Sequence, residues 1–248
     1  MMLHNTVILL VSLIIFIATV FRSAFGFGES LIAVPLLAIV MPLQLAVPLS
    51  VLVSVTIACF VVVQDHKKIH FKSAGGLIIY ALIGIPIGLW LLVHVPEYPV
   101  KLALGILIIA FAVYLLTGSQ LSELKQDNRW WLFGCGLLSG ILGGAYGING
   151  PPLVIYGAKR RWTAQHFRAT LQAYFLIASL TGGIGYWYSG LLGRMLLHYY
   201  LWSLPILVPA VLLGRLINSH MQGDNFFKYS YLVLLGLGLL LIINTFYH

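Results

Sequence analysis

Arg22 and Glu29 are charged residues that lie within apolar stretches of the sequence, on either side of a glycine-rich run. In a chain that spans a membrane, a charge near the bilayer centre costs about 2.5–3.5 kcal/mol on insertion scales, so such residues usually serve a function. We expect Arg22 to provide positive potential for an anion, and Glu29 to exchange a proton or position the substrate. Two structural alternatives are that the two side chains pair with each other and that Arg22 extends to the membrane interface.

The run between these charges contains Gly26 and Gly28, and glycine tolerates backbone angles that interrupt a helix. A helix that restarts inside a membrane directs free N–H groups and the positive end of its dipole at the break. Such a helix end can bind an anion, and Ser30 adds a hydroxyl group. The substrate-binding residues predicted in this first motif are Gly26, Phe27, Gly28, Glu29 and Ser30.

A second glycine-rich run lies 121 residues further along, where Gly147 aligns with Gly26. Asn149 adds a side-chain amide, and Pro151 suits the first turn of a restarted helix, where N–H groups are unpaired. Two such helix ends facing each other would form an anion site, whereas close helix packing by small residues is the structural alternative. The binding residues predicted in this second motif are Gly147, Asn149, Gly150 and Pro151. Tyr146 and Gln172 are weaker candidates, for which interhelical hydrogen bonding is the alternative role.

The composition identifies the environment that must position these residues. The chain has 248 residues, of which 8% are charged and 60% are hydrophobic, whereas a typical soluble domain is about 25% charged. A soluble globule or a disordered chain is therefore excluded, and a polytopic membrane protein remains. The net charge of +8 does not indicate nucleic-acid binding, because the basic residues lie in short loops without a recognised motif.

Apolar runs separated by charged or Pro/Gly-rich breaks predict ten segments. Each half, 1–120 and 121–248, contains a long segment, a glycine-rich break, a short segment and three long ones. The short segments, 27–40 and 148–158, would either span fully or form re-entrant half-helices. We therefore predict an all-α membrane protein with a single integral membrane domain and about 8–10 transmembrane helices. Five segments per half is an odd number, so the two repeats would be inverted, with Gly88 and Gly214 as counterparts.

The distribution of basic residues supports this arrangement. Four loops that fall on one side of the membrane carry eleven of the 14 Lys and Arg residues, namely 64–72, 118–129, 159–168 and 215–228. The positive-inside rule places these loops in the cytoplasm and both termini outside. His66 and His70 lie among lysines in the first loop and indicate a solvated face rather than a metal site. Cys59 and Cys135 each lie in an apolar run and are predicted to be buried, so we expect no metal and no cofactor.

Three stretches of the sequence resemble the sulfite exporter TauE/SafE family, also called the TSUP family. They are Phe25 to Pro35, Gly147 to Tyr156, and Phe167 to Thr170 with the apolar run that follows. The resemblance covers essentially the whole chain and implies a multi-pass transporter of small anions in the bacterial cytoplasmic (inner) membrane. Family substrates include sulfite, sulfoacetate and other organosulfur compounds, and some members are linked to organic acids. Glu29 and Asn149 depart from the commoner triple-glycine form, which favours an organic sulfonate or a carboxylate.

The leading hypothesis is a secondary transporter that exports a small organosulfur anion. The membrane potential favours export of an anion, so coupling to protons through Glu29 is an option that export does not require. The alternative is a transporter or channel for another small anion, such as a carboxylate. An intramembrane enzyme ranks last, because the sequence offers one embedded carboxylate without an acidic partner. No phosphate-binding loop is present, so ATP is not the expected energy source. The expected partners are the anion and the lipid bilayer, with a homodimer as one form of assembly.

Overall fold

The computed structural model describes residues 2–65, 71–117, 123–220 and 224–247, and in these ranges the chain is helical and contains no strand. The helices in order are α1 (Met2–Phe25), α2 (Glu29–Val40), α3 (Leu43–Asp65), α4 (Phe71–His94), α5 (Glu97–Leu116), α6 (Arg129–Tyr146), α7 (Gly150–Lys159), α8 (Ala164–Tyr188), α9 (Arg194–His220) and α10 (Asp224–Tyr247). The predicted all-α class is confirmed. The predicted repeat boundary at 120, and His66 and His70, lie outside the described residues.

Both glycine-rich runs separate one helix from the next, as the sequence predicts. Between α1 and α2, Gly26 and Gly28 have φ values of 85° and 92°. Gly147 ends α6 with a φ of 66°, and its N–H donates to the Gly143 carbonyl. Residues with a Cβ atom rarely adopt this left-handed backbone conformation, so glycine is the residue that allows the helix to end there.

Five helices in the described part of the chain are long and apolar enough to cross a membrane. They comprise Thr6–Phe25, Leu43–Phe60, Gly75–His94, Glu97–Leu116 and Arg194–Ile217. The 12 residues of α2 and the 10 residues of α7 extend about 18 Å and 15 Å, so neither alone can cross a hydrocarbon core of about 30 Å. The chain is therefore a multi-pass helical membrane protein, and the larger total of 8–10 spans stays a prediction.

Two helix–helix contacts in the structure resemble each other. Helix α4 packs on α6, and helix α9 packs on α1. A Cβ added to Gly88 would overlap the Ile141 carbonyl and lie 2.7 Å from the Ala145 nitrogen. A Cβ added to Gly214 would lie 2.5 Å from the Val20 carbonyl and 3.1 Å from the Ala24 nitrogen. Val20 and Ala24 precede Ile141 and Ala145 by 121 residues, which is also the offset between the two motifs.

The last helices of the two halves, α5 and α10, pack against each other reciprocally. A Cβ on Gly105 would approach Ile242 Cγ1 to 2.5 Å, and a Cβ on Gly238 would approach Ile109 Cγ1 to 2.7 Å. As the residue number rises along α5, its partner's number falls along α10, so the two helices are antiparallel. Small residues at such crossings let the helix backbones come close.

The outer faces of the long helices carry large apolar side chains, which suits contact with lipid tails. Leu9, Ile79 and Leu201 are exposed, whereas α2 is buried along most of its length. Cys135 is buried as predicted, but Cys59 is exposed, so the prediction for Cys59 is wrong. An apolar run does not distinguish a lipid-facing position from a core position, because both environments are apolar.

The segment that joins the halves is tied to the end of α7. Leu124 N donates to the Lys159 carbonyl at 2.8 Å, and Arg160 Nη1 donates to the Leu124 carbonyl at 2.6 Å. Asp127 Oδ1 accepts from Tyr156 Oη at 2.6 Å and lies 3.0 Å from Arg160 Nε. These contacts hold the C-terminal end of α7, while its N-terminal end faces the interior.

Candidate functional site

Arg22 lies buried at the end of α1 and joins three other helices. Its Nη1 atom donates to Glu29 Oε2 on α2 at 3.4 Å and also to the Ser54 hydroxyl on α3. Its Nη2 atom donates to Gln172 Oε1 on α8 at 2.8 Å, and its guanidinium carbon lies 5.2 Å from the centre of the Phe175 ring. The predicted alternative of an Arg22–Glu29 pair is therefore present, and Arg22 does not extend to the interface.

Glu29 occupies the first turn of α2, where the positive end of the helix dipole favours a carboxylate. Its second oxygen, Oε1, accepts from the Ser50 hydroxyl at 2.9 Å, and Ser50 lies 3.0 Å from the Ser30 hydroxyl. Glu29 is 2% exposed, so it is almost completely removed from solvent. Each carboxylate oxygen thus has a hydrogen-bond partner inside the protein.

Gln172 connects the second half of the chain to the first break. Its Oε1 accepts from Arg22, and its Nε2 donates to the Gly26 carbonyl at 2.8 Å. The Gly26 carbonyl belongs to the left-handed turn after α1, where helix carbonyls lack an intrahelical partner. Gln172 therefore positions both the cation and the backbone of the break.

The second break is stabilised by side chains from α6 and α8. The Ser139 hydroxyl donates to the Asn149 carbonyl at 2.6 Å and accepts from Tyr174 Oη at 2.8 Å. The Asn149 side chain lies directly against Gly143, where even a Cβ would overlap its Oδ1 atom. Asn149 is the residue before α7, but its side chain does not cap that helix. Its amide is consequently not used to satisfy the N–H groups of α7.

The two breaks meet at one small cavity. The residues that line it are Arg22, Gly28, Glu29, Ser30, Leu31, Ser54, Gly147, Ile148, Asn149, Gly150 and Phe175. Its volume is about 20 Å³, which is close to the space needed for a single water molecule. An organic anion is larger than this space, so it could bind here only if the cavity widened.

The structure brings together most of the residues that the sequence predicts. Arg22, Gly28, Glu29, Ser30, Gly147, Asn149 and Gly150 line the cavity, while Gly26 and Gln172 join it through hydrogen bonds. Phe27 packs beside Gly150, whose added Cβ would lie 3.4 Å from the Phe27 ring. Tyr146 and Pro151 are buried next to the second break but are not lining residues.

Ser50, Ser54 and Phe175 are site residues that the sequence reading does not include. Ser50 and Ser54 are four residues apart on α3, so they lie on one face of that helix. A polar pair at this spacing in an otherwise apolar helix is a signal that could identify them. Phe175 carries no such signal, because it is one aromatic residue among many in an apolar segment.

The arrangement provides hydrogen-bond donors for an anion without a metal. The N-terminal ends of α2 and α7 both line the cavity and contribute positive potential. The first turn of α2 also offers backbone N–H groups, whereas in α7 the donor is Gly150, because Pro151 and Pro152 have no N–H. Arg22 adds a positive charge, which the carboxylate of Glu29 offsets in this structure. Among the described residues, no cluster of three or more His, Cys, Asp or Glu side chains could hold a metal ion.

A multi-pass helical protein with a buried, polar-lined cavity between the ends of two short helices has the properties of a membrane transporter. A family model for the sulfite exporter TauE/SafE matches residues 11–241, which is nearly the whole chain. The chain therefore belongs to the TauE/SafE family, a transporter family whose members are described as sulfite exporters. Neither a curated protein nor a solved structure matches the chain.

Proposed function

We propose that this protein is a secondary transporter that exports a small organosulfur anion, such as sulfite, sulfoacetate or another sulfonate, across the bacterial cytoplasmic membrane. The observation that carries the proposal is the buried Arg22 guanidinium, held in a cavity lined by the N-terminal ends of two half-helices. Family membership supports anion transport in general. The proposal of an organic sulfonate is based on the site, where Glu29 and Asn149 add polar groups beside the backbone N–H groups.

In this proposal the anion competes with Glu29 for Arg22. The Arg22–Glu29 contact, at 3.4 Å, is longer than the Arg22–Gln172 contact, at 2.8 Å. Gln172 can therefore keep the guanidinium in place while an anion replaces the carboxylate. A displaced carboxylate left charged and unpaired in the interior is costly, so Glu29 takes up a proton when the anion binds. Proton and anion binding are thereby linked.

We also propose that the halves 1–120 and 121–248 are inverted repeats that alternate around this cavity. The equivalent contacts of Gly88 and Gly214 and the antiparallel, reciprocal packing of α5 and α10 support a two-fold axis perpendicular to these helices. An axis in that direction is the one that inverts a repeat in the membrane. A membrane potential of 100 mV, negative inside, contributes about 2.3 kcal/mol per net charge moved outward. A dianion such as sulfoacetate that leaves with one proton still moves one net negative charge, and an anion that leaves without a proton gains this amount for each of its charges.

The test is flux with purified protein in liposomes, with the anions sulfite and sulfoacetate as substrates and taurine as a sulfonate without net charge. Glu29→Gln mimics the protonated side chain, so we expect pH-driven flux to be lost while anion exchange continues. Glu97→Gln is a matched control, because Glu97 instead contacts the Leu43 amide and Lys101 at another site. If the flux of Glu29→Gln depends on pH as in the unmodified protein, Glu29 does not couple proton binding to anion transport. Absence of saturable flux for every anion would refute the transport proposal itself.

A carboxylate is the second candidate substrate class, and one observation favours it. The group that pairs with the Arg22 guanidinium in this structure is itself a carboxylate, that of Glu29. The same geometry would accept the carboxylate of a small organic acid. Acetate and methanesulfonate, each tested as a competitor of sulfite flux, separate the two classes, because each carries one of the two groups. A continuous anion channel is disfavoured by the small cavity and would be indicated by flux that does not saturate.

A further inference from the structure

A groove on the outer surface of the protein lies between α4 and α6, away from the central cavity. It has a volume of about 360 Å³ and is lined by Tyr80, Arg129, Trp130 and Phe133. Its walls belong to two helices that pack closely, since a Cβ on Gly136 would lie 2.9 Å from Tyr80 Cβ. The groove therefore follows a fixed helix–helix contact rather than a loop.

The groove is charged at one end and apolar along its length. Arg129 begins α6, and Phe133 follows one helical turn later, about 6 Å further along the helix axis. The rings of Phe133 and Tyr80 meet edge to face with centroids 5.3 Å apart and form the apolar wall. Trp130, beside Arg129, is 82% exposed, as is typical of aromatic residues at the membrane interface.

Arg129 is the basic residue that lines this groove, and it differs from Arg160 and Lys159, whose charges have partners elsewhere. Arg160 is paired with Asp127, and the Lys159 ammonium lies 4.4 Å from the centre of the Trp131 ring. In the part of the chain that the structure describes, Arg129 makes no ion pair. A positive charge next to an apolar groove at the membrane surface is complementary to an anionic amphipathic molecule.

We propose that this groove binds an anionic phospholipid, with the phosphate at Arg129 and an acyl chain along Phe133 and Tyr80. In the predicted topology Arg129 lies on the cytoplasmic side, where basic pockets between helices bind anionic head groups. The lipid would bridge α4 and α6. Because α6 ends at the second glycine-rich break, a bound lipid would stabilise one wall of the transport site, and this proposal does not depend on the substrate.

Native mass spectrometry of the purified protein with phosphatidylglycerol or phosphatidylcholine tests the proposal. We expect phosphatidylglycerol to be retained more strongly than phosphatidylcholine, and Arg129→Gln to lower its retention by about fivefold, the effect of one basic residue near the membrane surface. Arg194→Gln is the matched control, since Arg194 is also an exposed arginine at the start of a helix. It should leave retention unchanged.

A second variant, Phe133→Ala, removes the apolar wall without changing the charge and should lower retention of the same lipid. Equal losses in the Arg129 and Arg194 variants would show general surface attraction and overturn the proposal. Equal retention of the two lipids by the unmodified protein would also overturn it. The same conclusion follows if inorganic phosphate raises the unfolding temperature as much as phosphatidylglycerol does, because the ligand would then be a free anion.

Discussion

Replacing Gly88 by alanine adds one methyl group where α4 and α6 are in backbone contact. The new Cβ would overlap the Ile141 carbonyl and lie 2.7 Å from the Ala145 nitrogen, and neither backbone atom can move away as a flexible side chain could. Overpacking of this kind costs typically about 1–3 kcal/mol. Alanine also favours a helix over glycine by up to about 1 kcal/mol, which offsets part of that cost.

Gly75→Ala is the matched control, because Gly75 lies on the same helix and an added Cβ there meets nothing within 4 Å. Both variants gain helix propensity, so their difference isolates overpacking at about 1–3 kcal/mol. Equilibrium unfolding in mixed micelles measures this difference, and each kcal/mol corresponds to about 2–4 °C in the unfolding temperature. Equal stabilities of the two variants would refute the close contact between α4 and α6.

The functional consequence follows from the position of Ala145, two residues before Gly147 at the cavity. In Gly88→Ala the added methyl group should push α6 away from α4, displace the second break and weaken anion binding. Gly75→Ala should leave anion binding unchanged. Gly214→Ala should lose stability to a similar extent, because its added Cβ would meet Val20 and Ala24 at the end of α1, just before the first break. Destabilisation by only one of these two variants would contradict the equivalence of the halves.

Two further predictions concern hydrogen bonds that link separate parts of the chain. Gln172→Leu removes the Nη2 acceptor of Arg22, so we expect anion affinity in a binding assay to fall about tenfold or more, given about 1.5–3 kcal/mol for a hydrogen bond to a charged group. Thr181→Val on the same helix should leave affinity unchanged, and a similar loss there would discount a specific role for Gln172. Asp127→Asn should lower the free energy of unfolding by about 1–2 kcal/mol, because the joining segment loses its charged contact with the end of α7. Glu123→Gln, exposed in the same segment, should have no effect, and equal effects of the two would refute this role of Asp127.

The breaks at Gly26, Gly28 and Gly147 could be predicted because the freedom of glycine to adopt positive φ is a property of the residue itself. Arg22 and Glu29 could be singled out because charges are rare in apolar segments. Ser50 and Ser54 were missed, since serine is common in membrane helices and its role depends on how α3 is rotated against α2. Nothing in the sequence distinguishes Phe175 from the other aromatic residues.

Composition and the two glycine-rich motifs are enough to predict a helical membrane protein with two interrupted helices. Few charges, long apolar runs and glycine at the breaks are local properties of the chain. Any chain with these properties must form helices in a membrane, because lipid cannot hydrogen-bond to its backbone. The tertiary structure alone decided which faces point inward, that Arg22 pairs with Glu29, and that both breaks line one cavity. Lipid tails and a protein core are equally apolar, so hydrophobicity cannot select the buried face of a membrane helix. Close contacts at small residues and the hydrogen bonds of a few polar side chains make that selection.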